Sequence, residues 1–332
     1  MSFRLLFCLA CWALSSTVLA QDFLQRDEYV KLRDELVAEQ VYDASALDAV
    51  FANVKRLDQV ISLMDAPIRA PTPWHVYWPR HIGGDRPQRA IEFVNTNRGA
   101  LERAQKVYGV PLEVITAIVG VETIFGRITG NTRVLDALAT LAFDYPRRAE
   151  FFRSELKEFL ILSKELNKSP LEARGSFAGA MGWPQFMPGS WRRWAVDFDG
   201  SGRVDLWNSR EDIVGSVAAF LAGHGWQRDG VVMLPVDVPS EELQKLFNGG
   251  LTDRKPLSWW KEQGVKISRM DAGVELPPDD AVVGLISLDR ADGSNEYWMA
   301  FENFYVITRY NRSRMYASSV WSLAYWLKRR PR

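Results

Sequence analysis

The spacing of apolar positions divides the chain into helical stretches and one later stretch of a different character. From Phe23 to about Leu63 apolar residues recur at helical intervals, with a break at Asp43-Ala44-Ser45 and an end at Pro67, Pro71 and Pro73. The same spacing predicts helices over Arg89 to Tyr108, Leu112 to Phe125, Asp136 to Leu141, Arg147 to Leu166, Ile213 to Gly223 and Arg314 to Leu327. A Gly109-Val110-Pro111 turn separates the first two. Between about Arg228 and Asn303 the pattern shifts to short β-type runs, Val231 to Val238, Gly264 to Ile267 and Ala281 to Leu288, punctuated by Pro, Asp and Gly. The simplest fold class is α+β, mainly α, with a β-rich insertion in a helical protein.

One acid interrupts this pattern. Val114, Ile115, Ile118, Val119 and Val121 form a core-facing stripe, and Glu122 lies four residues after Ile118 and three after Val119, so it points inward. Desolvation disfavours the charged carboxylate, which gives such a group the raised pKa of a general acid. The competing reading is a structural acid paired with Arg127 or with a buried amide.

Composition narrows the setting. Residues 1–20 read as a secretory signal, with Arg4 at its start, Leu5 to Leu14 as a short apolar core and Val18-Leu19-Ala20 as the cleavage site. A periplasmic, exported protein is the expectation, ahead of a membrane-spanning or lipid-anchored one at Cys11. Both cysteines, Cys8 and Cys11, fall in this segment, so the mature chain has no thiol for a disulfide or a cysteine-based metal site. His75, His81 and His224 are too scattered for a metal motif. Removing the signal removes one of the 41 basic residues against 41 acidic, a formal charge of −1, which gives no footprint for nucleic acid.

Three further segments carry chemistry. Ser176 to Pro188 mixes small residues with Trp183, Phe186 and Gln185, the make-up of a sugar groove, although the same composition suits a tight buried turn. Asp197 to Asn208 resembles a calcium-binding EF-hand loop: Asp197, Asp199, Ser201 and Asp205 stand at positions 1, 3, 5 and 9, Gly202 at position 6, and Arg203 offers its carbonyl. Asn208 replaces the usual bidentate Glu, so the last ligand falls to Glu211 or Asp212, and the affinity should be weak; the competing reading is an acidic turn. Asn311, before Met315-Tyr316, either caps the C-terminal helix or faces a ligand.

Tyr108-Gly109-Val110-Pro111, Gly120-Val121-Glu122-Thr123, the run Arg133 to Arg148, Ala178 to Gly182, Pro184 to Pro188, Ala195 to Gly200, His224-Gly225-Trp226 and Tyr310-Asn311 together resemble the B-type family of membrane-bound lytic murein transglycosylases. The resemblance covers about Trp74 to Leu327. It implies a lysozyme-like core over 76–227 containing the calcium loop 197–212, with a helical entry region over 21–75, the β-rich insertion over 228–303 and a C-terminal helix over 304–332 returning to the core. It also implies that Glu122 is the sole acid/base and that Ser176, Gln185, Tyr310, Asn311 and Tyr316 line the sugar site. Calcium is implied as a structural ion only; register from the helix side favours Asp212 as its last ligand, whereas counting from Asp197 favours Glu211. The implied substrate is peptidoglycan, cut between N-acetylmuramic acid and N-acetylglucosamine to leave 1,6-anhydro ends by a monomeric enzyme, with other cell-wall enzymes as candidate partners. The rivals are a hydrolytic muramidase using Asp136 or Asp144 as a second carboxylate, and a non-catalytic peptidoglycan-binding protein.

Overall fold

A computed structural model describes residues 23–66, 72–246, 251, 254–270 and 274–330. The expected signal segment, residues 1–20, lies outside the described residues. The chain forms two compact units, each assembled from separated stretches of sequence.

The first unit takes residues up to 66, then 130–181 and 187–192. Its centre is the helix Val134–Asp144, whose residues from Val134 through Ala142 are all buried. The long helix Ala149–Glu165 and the short Asp58–Met64 pack on it. Asp27–Ala38 and Ala44–Phe51 add Tyr29, Leu36, Leu47 and Phe51 to the core. A small antiparallel pair, β1 (Thr132–Arg133) with β2 (Arg174–Gly175), leads into the Ser176 turn.

The second unit holds residues 67–129, 182–186 and 193–332. Gly109 ends the helix Arg98–Tyr108 in the left-handed conformation, and Pro111 precedes the helix Leu112–Thr123, whose first N–H is accepted by Gln105 Oε1 at 2.9 Å. All residues of Leu112–Thr123 except Glu113 and Glu122 are buried. It packs chiefly against the C-terminal helix Arg314–Lys328 and against Arg86–Thr96. An apolar helix buried on nearly every side is the rigid support an acid needs if it is to be held out of water.

The β-rich stretch becomes a five-stranded antiparallel sheet in the order β4 (Arg254–Pro256), β6 (Val282–Asp289), β7 (Asn295–Ala300), β3 (Met233–Asp237), β5 (Lys266–Ile267). Its inner face closes on Leu234, Leu257, Trp260, Leu285 and Met299, two of them from the short helix Leu257–Glu262 within the stretch. Asp289, at the end of β6, accepts the Trp74 N–H at 3.0 Å and meets His75 Nδ1 at 3.0 Å, tying the start of the helix Trp74–Ile82 to the sheet.

The sequence expectations depart from the structure at element ends. Arg89 to Tyr108 is two helices, Arg86–Thr96 and Arg98–Tyr108, because Asn97 turns its amide onto the Phe93 carbonyl at 2.8 Å and leaves helical geometry. Leu112 to Phe125 stops at Thr123, since Ile124 and Phe125 both take positive φ. Helix Trp74–Ile82, with Pro79 inside it, was not foreseen, nor was Glu302–Tyr310.

Candidate active site

Glu122 occupies the last turn of the buried helix and keeps partial solvent access. Tyr316, from the C-terminal helix, donates its Oη–H to Glu122 Oε1 at 2.6 Å. Burial pushes the Glu122 carboxyl up to about 7, and the Tyr316 hydrogen bond, which favours the carboxylate, opposes that rise. Arg127, the structural partner considered from the sequence, pairs instead with Asp85 at 3.1 Å. The acid is therefore protonated to a large extent near neutral pH, and no cation among the described residues holds it ionised.

The backbone turns sharply just beyond it. Ile124, Phe125 and Gly126 have φ of 52°, 55° and 81°, and left-handed geometry is strained for a β-branched residue. Buried Thr123 secures the turn: its Oγ1 accepts the Gly126 N–H at 3.0 Å and donates to the Trp183 carbonyl at 3.0 Å. Gln185, itself at φ 50°, donates from Nε2 to the carbonyls of Thr129 and Gly182 at 3.0 and 2.9 Å. Its NH₂ group is thus committed to holding the loop.

Tyr310 stacks on Tyr316, ring centroids 6.4 Å apart, and donates its hydroxyl to the Pro184 carbonyl at 2.7 Å. Burial first, and then the Glu122 charge, raises both tyrosines well above the ordinary phenol range. Tyr77 is raised by the same two causes in the same order. Tyr77 was missed by the sequence reading. Its signal was the spacing of Trp74, Tyr77, Trp78 and His81 along one helix, where Tyr77 stacks on His81 at 4.0 Å. Asn311 is exposed and ends the helix Glu302–Tyr310; the residue that caps the C-terminal helix is Ser313, whose Oγ accepts the Tyr316 N–H, so the capping alternative for Asn311 is not what the fold uses. Ser176 belongs to the first unit, where its Oγ accepts the N–H groups of Ala178 and Ala180 at 3.3 and 3.0 Å.

The two acids considered for a hydrolytic pair are also in the first unit and are engaged there. Arg133 grips Asp136 with Nε and Nη2 at 2.8 and 2.6 Å, and Asp144 is shared by Arg26 at 2.7 Å and Arg56 at 3.1 Å. No second carboxylate among the described residues contributes to the Glu122 shift.

In the EF-hand-like loop, carboxylate oxygens of Asp197, Asp199 and Asp212 lie within 4.8 Å of one another. Asp212 is fully buried and accepts the N–H groups of Phe198, Asp199 and Asp205, whereas Glu211 is exposed on the same helix. Ser201 N–H is accepted by Asp197 at 3.0 Å and by Asp199 at 2.8 Å, and Ser201 Oγ donates to the Arg203 carbonyl at 3.2 Å. Asp205 turns its carboxylate onto the N–H groups of Trp207 and Asn208. The Ser209 hydroxyl, followed by Ser201, draws Asp199 down to about 2. Three converging carboxylates make an all-oxygen donor set that fits a hard divalent cation.

The sequence profile of the Transglycosylase SLT domain matches residues 25–325. The chain belongs to that family. It is 38% identical over 321 residues to the membrane-bound lytic murein transglycosylase B of Escherichia coli (strain K12), covering 91% of this chain and 83% of that one. Among solved structures, the Escherichia coli lytic transglycosylase Slt35 in complex with calcium superposes with TM-score 0.82 at 38% identity, covering 92% of this chain and 94% of that one. SltB3 from Pseudomonas aeruginosa in complex with NAG-NAM-pentapeptide does so with TM-score 0.78 at 29% identity, covering 92% and 81%. This transglycosylase is therefore a peptidoglycan-cleaving lytic enzyme with a lysozyme-like, mainly helical α+β fold. Hydrolytic and non-catalytic alternatives are not favoured.

Proposed function

We propose that Glu122 alone performs the acid and base steps of the lytic reaction. The observation that carries this is a single carboxyl with its pKa near 7, hydrogen-bonded by a tyrosine and, among the described residues, unaccompanied by a second acid. Ordinary glycosidases need two carboxylates, one of them to activate water or to attack the sugar. Here Glu122 protonates the glycosidic oxygen between N-acetylmuramic acid and N-acetylglucosamine, and the substrate's own acetamido group shelters the cationic anomeric carbon. The ionised Glu122 then takes the proton of the muramoyl C6 hydroxyl, and that oxygen closes on the anomeric carbon. The product is a 1,6-anhydro end, and Glu122 recovers the proton it gave. Tyr316, by hydrogen-bonding the carboxylate, stabilises the form present between the two steps.

Gln185, Tyr310 and Asn311 are assigned to hold the glycan, Gln185 through its Oε1. Purified sacculi digested by the enzyme should release muropeptides whose new ends are one water lighter than reducing ends by mass spectrometry. Reducing ends in their place would support a hydrolase.

The pH dependence follows from the acid role. The free enzyme donates a proton only when Glu122 holds one, so kcat/KM should fall as pH rises through about 7. In Tyr316→Phe the carboxylate loses its hydrogen bond, which raises the Glu122 pKa; the alkaline limb should move up by roughly half to one unit. Maximal kcat/KM should drop about fivefold, because the ionised intermediate form loses roughly 1 kcal/mol of support. A pH–rate profile unchanged in Tyr316→Phe would contradict the role of this contact.

We further propose that Asp197, Asp199 and Asp212, with Ser201, the Arg203 carbonyl and Asp205, hold a structural calcium ion. Millimolar calcium should raise the melting temperature after chelator treatment, since an ion bound only by the native state stabilises it by mass action. Asp197→Ala should abolish the rise, read by calorimetry. The expected setting is the periplasm, reached through the segment 1–20, with the enzyme acting as a monomer on glycan strands. Among the described residues no single helix is long and apolar enough to cross a membrane.

A further inference from the structure

Arg86, the first residue of the helix Arg86–Thr96 in the second unit, stands in an unfavourable place for a cation. It is only 7% exposed, which strips the guanidinium of water, and the start of a helix carries the positive end of its dipole. No carboxylate among the described residues pairs with it: adjacent Asp85, whose charge acts on it, is engaged by Arg89 at 2.8 Å and by Arg127 at 3.1 Å. The guanidinium keeps its charge at neutral pH all the same, as arginine does in proteins.

Two helix ends take the place of a counter-ion. Arg86 Nε donates to the Gly120 carbonyl at 3.0 Å, in the last turn of Leu112–Thr123, and Nη1 donates to the Arg80 carbonyl at 2.8 Å, in the last turn of Trp74–Ile82. The C-terminus of a helix carries roughly half a negative charge, so two of them meeting one guanidinium balance it. Gly120 is fixed from other sides as well. A Cβ there would stand 2.7 Å from the Phe125 ring and 3.3 Å from Leu323, and its carbonyl also accepts the Ile124 N–H at 3.1 Å, where the left-handed turn begins. Glu122 follows Gly120 by two residues and Tyr77 precedes Arg80 by three. One guanidinium thus ties the helix end that carries the acid to the helix that carries Tyr77.

We infer that Arg86 is a positioning residue for the lytic reaction, joining these two helix ends so that the turn bearing Glu122 keeps its geometry and its burial. The inference rests on the reading of Glu122 as the acid/base. Without the guanidinium both carbonyls lose their charged donor, the two like-signed helix ends repel, and the turn opens to water. Desolvation of the carboxyl then weakens, so its pKa falls from about 7 toward the ordinary 4.5. The other groups facing Glu122 are the phenols of Tyr316, Tyr310 and Tyr77, which burial raises and which are uncharged near neutral pH. A moving alkaline limb therefore reports Glu122 itself.

The test measures Tm and the pH dependence of kcat and KM, by release of anhydro ends from glycan strands, for wild type, Arg86→Met, Arg86→Lys and Leu285→Ala. Methionine keeps an apolar stem and lacks both the charge and the donors. In Arg86→Met kcat should fall by a factor on the order of 10 to 100 with KM little changed, the effect of a slightly misplaced catalytic group. Its alkaline limb should move about one unit toward acid. Lysine keeps the charge and can serve one carbonyl, so Arg86→Lys should recover part of both losses; if Arg86→Met does not fold, the same shift and kcat loss in Arg86→Lys carry the test. Leu285, buried in the sheet core, gives the comparison for stability loss alone: Leu285→Ala should lower Tm with limb and kcat unmoved. Folded Arg86 variants that lose Tm as Leu285→Ala does, yet keep the wild-type limb and kcat, overturn the positioning role and leave anhydro-end formation intact. A wild-type profile with no alkaline limb near 7 overturns the Glu122 reading, and this inference with it.

Discussion

Glu122→Gln should fold and lose turnover by a factor on the order of 10² to 10⁴, the share of catalysis a positioned acid/base supplies. Gln matches Glu in shape and its Oε1 can still accept the Tyr316 hydroxyl, but its amide neither gives nor takes a proton near neutral pH. The variant should also be more stable than the wild type at alkaline pH. The Glu122 pKa is about 7 in the folded protein against 4.5 for an ordinary glutamate, so the folded state holds a proton that the unfolded chain has already lost. The stability this confers is complete below about 4.5 and is lost as pH rises through about 7. Gln suffers no such loss, so the advantage of Glu122→Gln above pH 7 should be on the order of 2 to 3 kcal/mol relative to acid conditions. Melting curves at both ends of the range read it. A variant that is inactive yet no more stable at alkaline than at acid pH, relative to wild type, would mean that burial does not raise this carboxyl.

Gly126→Ala should be among the most destabilising single-methyl changes near the site. A Cβ at Gly126 would stand 2.0 Å from the Trp183 ring, and the backbone there has φ of 81°. The ring has little room to yield, because Arg210 lies 3.5 Å over it and Phe93 packs beside it. Crowding and left-handed strain together should cost about 3 kcal/mol. Gly84→Ala is the control: it shares a left-handed φ, 65°, but a Cβ there meets nothing within 4 Å, so only about 1 kcal/mol is expected. Denaturant titration of both variants checks the comparison, and equal losses would show that strain alone, not the Trp183 contact, sets the cost. Since the same turn follows directly on Glu122, kcat/KM should fall in Gly126→Ala even where the protein remains folded.

The position of Glu122 on a buried helix was legible in the sequence because its signal is local: the apolar stripe at helical spacing and the carboxyl lie within a few residues of one another. The sheet was legible for the same reason, although the helical turn that supplies Leu257 and Trp260 to its core was hidden among the strand signals. Long-range partners were not legible. Arg127 stands near Glu122 in sequence but pairs with Asp85, and the carbonyl that fixes the Gln185 amide belongs to Thr129, far from it along the chain. Tyr77 sits on a helix whose internal Pro79 argues against helix, so its place in the tyrosine cluster emerged only from packing. The break at Asn97 depended on a side chain choosing the Phe93 carbonyl over solvent, a choice periodicity does not encode. The EF-hand-like loop was read by spacing, and packing distinguishes Asp212 from Glu211, since only Asp212 is buried against the other acids.

Digestion of sacculi in water enriched in heavy oxygen, followed by mass spectrometry of the new glycan ends, tests the single-acid account most directly. If Glu122 gives its proton to the glycosidic oxygen and regains one from the C6 hydroxyl with no water entering, the new ends are anhydro and carry no label, and Glu122→Gln releases none of them. Heavy oxygen incorporated at newly formed muramoyl ends by the wild-type enzyme would contradict it.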